Sequence, residues 1–207
     1  MTTATDRMPY HHGDLRNALV SEATGLARVG GPDAVVLREA ARRVGVSPSA
    51  AYRHFPSLEA LLAAVASRAR EALGRTMLER LASLPREKDS RRAALARFRA
   101  TGAAYIDFAL TEPGLFRVAF VPCDPVLLVR DDPSPYAILS EAIDAVAASG
   151  ALPRGRRPHA EEVAWSAVHG VAVLIGDGLM DLAGERDRAD VIDRVLDGVA
   201  FGLTGRE

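Results

Sequence analysis

The apolar residues of this 207-residue chain recur at intervals of three and four and almost nowhere alternate with polar ones. That spacing stacks side chains on one face of an α-helix, whereas a half-buried strand needs a period of two. Leu15, Leu19, Ala23 and Leu26 share such a face, and Gly30-Gly31-Pro32 follows as a stop. Glycine accepts the left-handed cap there and proline cannot continue the helix. Leu58, Leu61, Leu62, Val65, Ala69, Leu73, Met77 and Leu81 mark a long helix that starts at Ser57 or Leu58 and ends near Pro85. Another carries Leu95, Phe98, Gly102, Tyr105 and Phe108 and is broken at Glu112-Pro113-Gly114. Residues 115–120 read as a short apolar piece and 121–135 as a proline-rich loop. Helices are expected near 135–148, 159–183 and 187–203, with shorter ones at 37–44 and 49–54. The reading is an all-α chain of about nine helices and no sheet.

Composition narrows the function classes. Hydrophobic residues at 48% and charged residues at 26% are ordinary for a globular chain that buries a core. The net charge of −1 excludes a polycation, so any nucleic acid must be met by a local basic face. Residues 1–80 hold 11 basic against 8 acidic side chains, and the remainder 15 against 19, which makes the N-terminal part the basic end. A single cysteine, Cys123, excludes an intramolecular disulfide and a multi-cysteine zinc site. The first residues, MTTATDRMPYHHGD, lack the apolar stretch of a signal peptide, and no run of about 18 apolar residues occurs. A soluble, cytoplasmic protein without a membrane partner is therefore expected.

The most informative stretch is residues 37–55, LREAARRVGVSPSAAYRHF. It reads as helix, tight turn, helix. Ala40, Ala41 and Val44 give the first helix a narrow face on which a second can pack closely, and Gly45 supplies the turn. Val46 is an apolar plug. Ser47 suits the N-cap and Pro48 the first helical position, where no amide donor is needed. Ala51 and Phe55 point back to the core, which leaves Pro48, Ser49, Ala50, Tyr52, Arg53 and His54 outward. A helix-turn-helix needs this pattern, because its second helix enters the major groove N-terminal end first. Ser49 and Ala50 are small enough for close approach to base edges, and Arg53 can offer two donors to guanine or meet a phosphate. Tyr52 and His54 can donate to phosphate oxygens and fix register. Arg42, Arg43, Arg68, Arg70 and Arg75 read as a solvated face, and adjacent His11 and His12 with no third ligand nearby do not suggest a metal.

These residues resemble the DNA-binding domain of the TetR-type bacterial transcriptional regulators. The resemblance rests on Leu37-Arg38-Glu39-Ala40-Ala41, Gly45-Val46-Ser47, Tyr52-Arg53-His54-Phe55 and Glu59-Ala60-Leu61-Leu62, with the lead-in Tyr10-His11-His12-Gly13-Asp14-Leu15. Further on, Trp165 with His169-Gly170 resembles the C-terminal domain of the branch named for a tryptophan, a histidine and a glycine. The resemblance implies an all-α homodimer, with a DNA-binding domain at residues 1–57 and an effector-binding and dimerisation domain at 58–207. It implies contacts to double-stranded operator DNA from Arg38, Ser47, Pro48, Ser49, Ala50, Tyr52, Arg53 and His54. Two positions depart from the family pattern: Leu58 stands where lysine often contacts phosphate, and Val36 where Ser or Thr often caps the second helix. The lost cap weakens that helix by about 1 kcal/mol.

The C-terminal residues leave alternatives open. Thr101, Tyr105, Phe108, Phe116, Phe120, Trp165, Ser166 and His169 are candidates for an effector pocket, but aromatics at helical spacing also build plain core. His169, four residues after Trp165, is either a pocket group or a hydrogen-bonded structural histidine. Val191 or Ile192 with Val195, Val199 and Leu203 forms a stripe suited to a two-fold interface. The expected function is a repressor released from a palindromic operator by a small, mostly apolar effector, with no cofactor and no metal. A ligand-independent DNA-binding regulator is the alternative. A helical enzyme using His169 or Cys123 is remote, since no nucleophile–base–orienter spacing is visible.

Overall fold

Residues 15–123 and 131–205 are described by the structure, a computed structural model. Nine α-helices and no strand occur among them: α1 (Leu15–Gly30), α2 (Leu37–Val44), α3 (Pro48–His54), α4 (Leu58–Ala82), α5 (Ser90–Thr111), α6 (Pro113–Ala119), α7 (Pro135–Ala148), α8 (Ala160–Gly176) and α9 (Glu185–Thr204). The lead-in at residues 10–14, with His11 and His12, lies outside the described residues.

Local chemistry sets the helix ends. The hydroxyls of Ser57 and Ser134 and the carboxylate of Asp89 accept the backbone N–H three residues on, at Ala60, Ala137 and Arg92, and so cap α4, α7 and α5. Pro113 ends α5 and opens α6 in the same step, because the first helical position needs no amide donor. The apolar piece expected at 115–120 is thus the body of a helix. The helix expected at 159–183 is shorter: α8 stops at Gly176, and Gly178 takes the left-handed φ of 68° that turns the chain away. Asp177 to Ala183 are not helical.

One apolar core runs from end to end. Leu19 of α1, Phe55 after α3, Leu61, Val65 and Leu73 of α4, Tyr105 and Ile106 of α5, Val168 of α8 and Leu196 of α9 all belong to it. A smaller cluster gathers Phe98, Ile143, Leu152 and Leu203 around α5, α7 and α9. The three N-terminal helices are fastened to the rest twice. α4 packs on α1 and also on α5, α6 and α7, and α6 lies across the C-terminal end of α1. At that crossing Gly114 sits against the carbonyl oxygens of Ala27 and Arg28, so close that no Cβ fits between them. Arg28 adds an exposed ion pair to Glu112 at 2.8 Å. Among the described residues no helix is long and apolar enough to cross a membrane.

Candidate nucleic-acid interface and ligand cavity

The reading head is built by the turn between α2 and α3. Gly45 adopts φ 81° and ends α2, and the Val46 amide reaches back to the Ala41 carbonyl at 3.0 Å. Val36 caps α2 without any side-chain hydrogen bond. Ser47 accepts from the Ala50 amide at 3.3 Å and shares a hydrogen bond with the Ser49 hydroxyl at 3.0 Å. Ala51 and Phe55 are fully inside, and the Arg16 guanidinium lies 4.9 Å from the Phe55 ring centre. Pro48, Ser49, Tyr52 and Arg53 are exposed, as is Arg38 at the start of α2; Ala50 and His54 are half-buried.

Charge on this head is sorted by one carboxylate. Glu39 accepts from Arg42 through Nε and Nη2, both at 2.8 Å, and from the Nε of Arg43 at 2.9 Å. The two guanidinium groups hold the Glu39 carboxyl down to about 2. All three side chains face water, so the pairs add little stability. Their consequence is electrostatic: Arg42 and Arg43 are engaged, whereas Arg38 and Arg53 have no ion pair among the described residues.

The second feature is a partly open cavity of about 120 Å³ among α4, α5, α7 and α8. That is the order of size of a cavity that takes one benzene ring. Its wall is mostly apolar, with Met77, Gly102, Phe120, Leu139 and Val168, and includes the polar edges of Thr101, Tyr105 and Trp165. Those edges are largely committed. The Thr101 hydroxyl donates to the Phe98 carbonyl at 2.7 Å. The Trp165 indole, a donor only, gives its N–H to the Tyr105 oxygen at 2.9 Å. The same hydroxyl lies 2.8 Å from His169 Nδ1, and its proton is satisfied there when the neutral imidazole carries its own proton on Nε2. Burial pushes the Tyr105 hydroxyl up and the His169 imidazole down, and both changes favour this uncharged chain of donors. Phe116 and Phe120 close around it, with Phe120 and His169 ring centres 5.0 Å apart.

Two family models fit these two halves. Residues 19–65 match the bacterial regulatory proteins of the tetR family, and residues 98–199 match the tetracyclin repressor-like C-terminal domain. The chain belongs to the TetR family. A protein of unknown function from Rhodococcus sp. RHA1 has the same fold with a TM-score of 0.75 at 28% identity, over 96% of this chain and 100% of that one. A TetR variant from Acinetobacter baumannii AYE, solved in complex with minocycline, gives 0.61 at 19% identity over 94% and 96%. RolR, solved with resorcinol, gives 0.62 at 17% identity over 94% and 95%. No curated protein matches by sequence. As a TetR-family member the chain is a DNA-binding transcriptional regulator and not an enzyme.

Within this TetR-family frame the anticipated pocket residues separate. Thr101, Tyr105, Phe120 and Trp165 line this cavity. Phe116 and His169 line a neighbouring, more open cleft that shares only Phe120 with it. Phe108 is core and lines neither, and Ser166 is exposed on another side of α8. The stripe anticipated as the dimer face is partly covered within the chain itself. Val191, Ile192 and Val195 pack on the main core, Val199 on the smaller one, and Leu203 is 7% exposed. A helix buries a stripe on its own domain, and in α9 these residues do so in part.

Arg70 also departs from its reading as a solvated side chain. It is mostly buried on the cavity wall and bonded to Asp131 at 2.6 Å. Its place among Ala66, Ala69 and Leu73, all buried, was the available signal. The chain past residue 120 gave none for Asp131.

Protonating His169 would put a charge among Phe116, Phe120 and Trp165 and reverse its bond to Tyr105. Folded His169 takes up a proton less readily than the unfolded chain, so its contribution is full above the ordinary value of 6.5 and is lost as pH falls toward the lowered folded value. Urea midpoints measured between about pH 7 and pH 5 should fall for the native chain and fall less for His169→Gln.

Proposed function

We propose that the protein is a dimeric repressor that binds a palindromic operator through α2 and α3 and leaves it when a small, mostly apolar effector fills the cavity among α4, α5, α7 and α8. The observation that carries this reading is the position of the cavity. Its wall includes Arg70 and Met77 of α4, the same helix whose Leu61 and Val65 are buried in the core that holds the reading head. A ligand there acts on α4 directly and on α1 through the crossing with α6. It releases DNA only if it binds the DNA-incompetent spacing of the two heads more tightly, and DNA and effector then weaken each other equally. The complexes of related folds with resorcinol and minocycline are in keeping with a ring compound as effector.

Under this reading residues 1–57 form the DNA-binding unit and 58–207 the effector and dimerisation unit. Arg38 and Arg53 read bases; Pro48, Ser49 and Ala50 allow close approach; Tyr52 and His54 hold phosphates. Ser47 serves mainly as the cap of α3, as its bond to Ala50 suggests. The dimer forms on the outward faces of α8 and α9. Val163 at 55% and Phe201 at 57% exposure, with Leu174, support this, as do Gly198 and Gly202, which leave open space where a second helix can approach.

A gel shift on the DNA upstream of the gene, at fixed salt, tests the reading. Arg38→Ala and Arg53→Ala should relax base preference by about 1–3 kcal/mol, whereas Tyr52→Phe and His54→Ala should weaken all sequences alike. Equal loss of specific and non-specific binding in the arginine variants would contradict their role. For assembly, Phe201→Glu with Leu174→Glu should give folded monomers by light scattering. A dimer unchanged by both substitutions would place the interface elsewhere.

A further inference from the structure

Two of the side chains on the cavity wall carry full charge, and they are paired with each other. Arg70 and Asp131 border both the apolar cavity and a wider, more open cleft beside it, so the pair stands where the two meet. The Arg70 Nε donates to Asp131 Oδ2 at 2.6 Å, and the Ser67 hydroxyl donates to Asp131 Oδ1 at 2.9 Å. The Arg70 Nη1 donates to the carbonyl of Ala119, the last residue of α6, at 2.8 Å. The two charged side chains are only 15% and 13% exposed.

Such a pair is an expensive way to fasten a loop. Each charge gives up most of its water, and apolar side chains of similar volume would hold the same backbone at no such cost. What the arrangement does supply is a carboxylate receptor on one rigid element. Ser67 and Arg70 are three apart on α4, both inside the helix, and Arg70 is braced by α6. Their two donors converge on one carboxylate. The occupant, by contrast, sits on non-helical backbone between residue 130 and α7. If one partner leaves, it is Asp131.

We propose that the Ser67–Arg70 pair recognises the carboxylate of the effector, that the effector is a small aromatic carboxylate, and that Asp131 is a built-in occupant it displaces. This rests on the reading of the cavity as the effector site. The exchange conserves charge: one carboxylate replaces another on Arg70, and Asp131 regains water. The incoming group also buries a ring against Phe120, Leu139 and Val168, which Asp131 cannot do. A cationic ligand would strand Arg70, and a neutral one leaves the pair closed. Because Asp131 is tethered, it competes at a high effective concentration and sets the threshold that the effector must exceed. The Arg70 it binds also holds the last carbonyl of α6, so the exchange takes place at the junction of α4 with α6, two of the elements packed on α1.

The test uses the full chain and two probes of equal ring size, benzoate and benzyl alcohol, titrated by calorimetry at neutral pH. Asp131→Asn keeps the side-chain shape and an acceptor for Ser67 but removes the competing charge. It should tighten benzoate by about tenfold or more and change benzyl alcohol by less than about twofold. Arg70→Gln should weaken benzoate by about tenfold or more and spare benzyl alcohol. If Arg70→Gln does not fold, the Asp131→Asn titrations decide alone. Benzoate affinity unchanged or undetectable in Asp131→Asn, or both probes tightened alike, overturns the carboxylate assignment. If benzyl alcohol binds while benzoate gains nothing, the cavity reading survives and only this inference falls; if neither probe binds any variant, the cavity reading falls with it.

Discussion

The 25 residues of α4 have to satisfy two neighbourhoods at once. At about 1.5 Å per residue the helix spans nearly 40 Å. Its first turns bury Leu61 and Val65 with the N-terminal helices, and its later turns bury Leu73 and Met77 with the C-terminal ones. Between them stand Ser67, Ala69 and Arg70, where the helix touches the cavity and the Asp131 segment. A close-packed core does not deform smoothly, and under the proposed function α4 is the element through which occupancy of the cavity would be felt at the head. The head and the cavity therefore share one mechanical element and need no separate relay.

The α1–α6 crossing makes that coupling stiff. Gly114 lets the α6 backbone rest directly on the last carbonyls of α1, with no side chain to cushion the contact. α6 is short, seven residues, and each end is held: Glu112, before its first turn, by Arg28, and Ala119 by Arg70. Movement of Arg70 thus reaches α1 through a single helix of two turns.

Much of this was legible in the residues. The period of three and four fixed the class, and Gly45, Ser47 and Pro48 located the turn because each has one conformational reason to be there. Glycine and proline spacing also located the ends of α1 and α5. Facing direction was harder. Val195 and Val199 make a stripe that fits a partner as well as it fits α5, and in the fold they are partly buried while Phe201 is left outside. Long-range pairs were out of reach. Nothing local links Arg70 to Asp131, 61 positions away, or Tyr105 to His169, 64 away, although each pair fixes the character of a site. Glu39 was the opposite case: its partners lie three and four residues on, a spacing that marks a helical ion pair on sight.

If the filled cavity favours the DNA-incompetent spacing of the heads, a side chain that fills it should disfavour DNA with no ligand present. Leu139→Phe places an extra ring into the apolar wall without touching the reading head or Arg70. Its affinity for the operator, measured at fixed salt beside the native chain, reads the coupling directly. The account predicts a folded dimer whose specific binding drops about tenfold or more while non-specific binding holds. Unchanged operator affinity in a Leu139→Phe protein that no longer admits benzyl alcohol would contradict it.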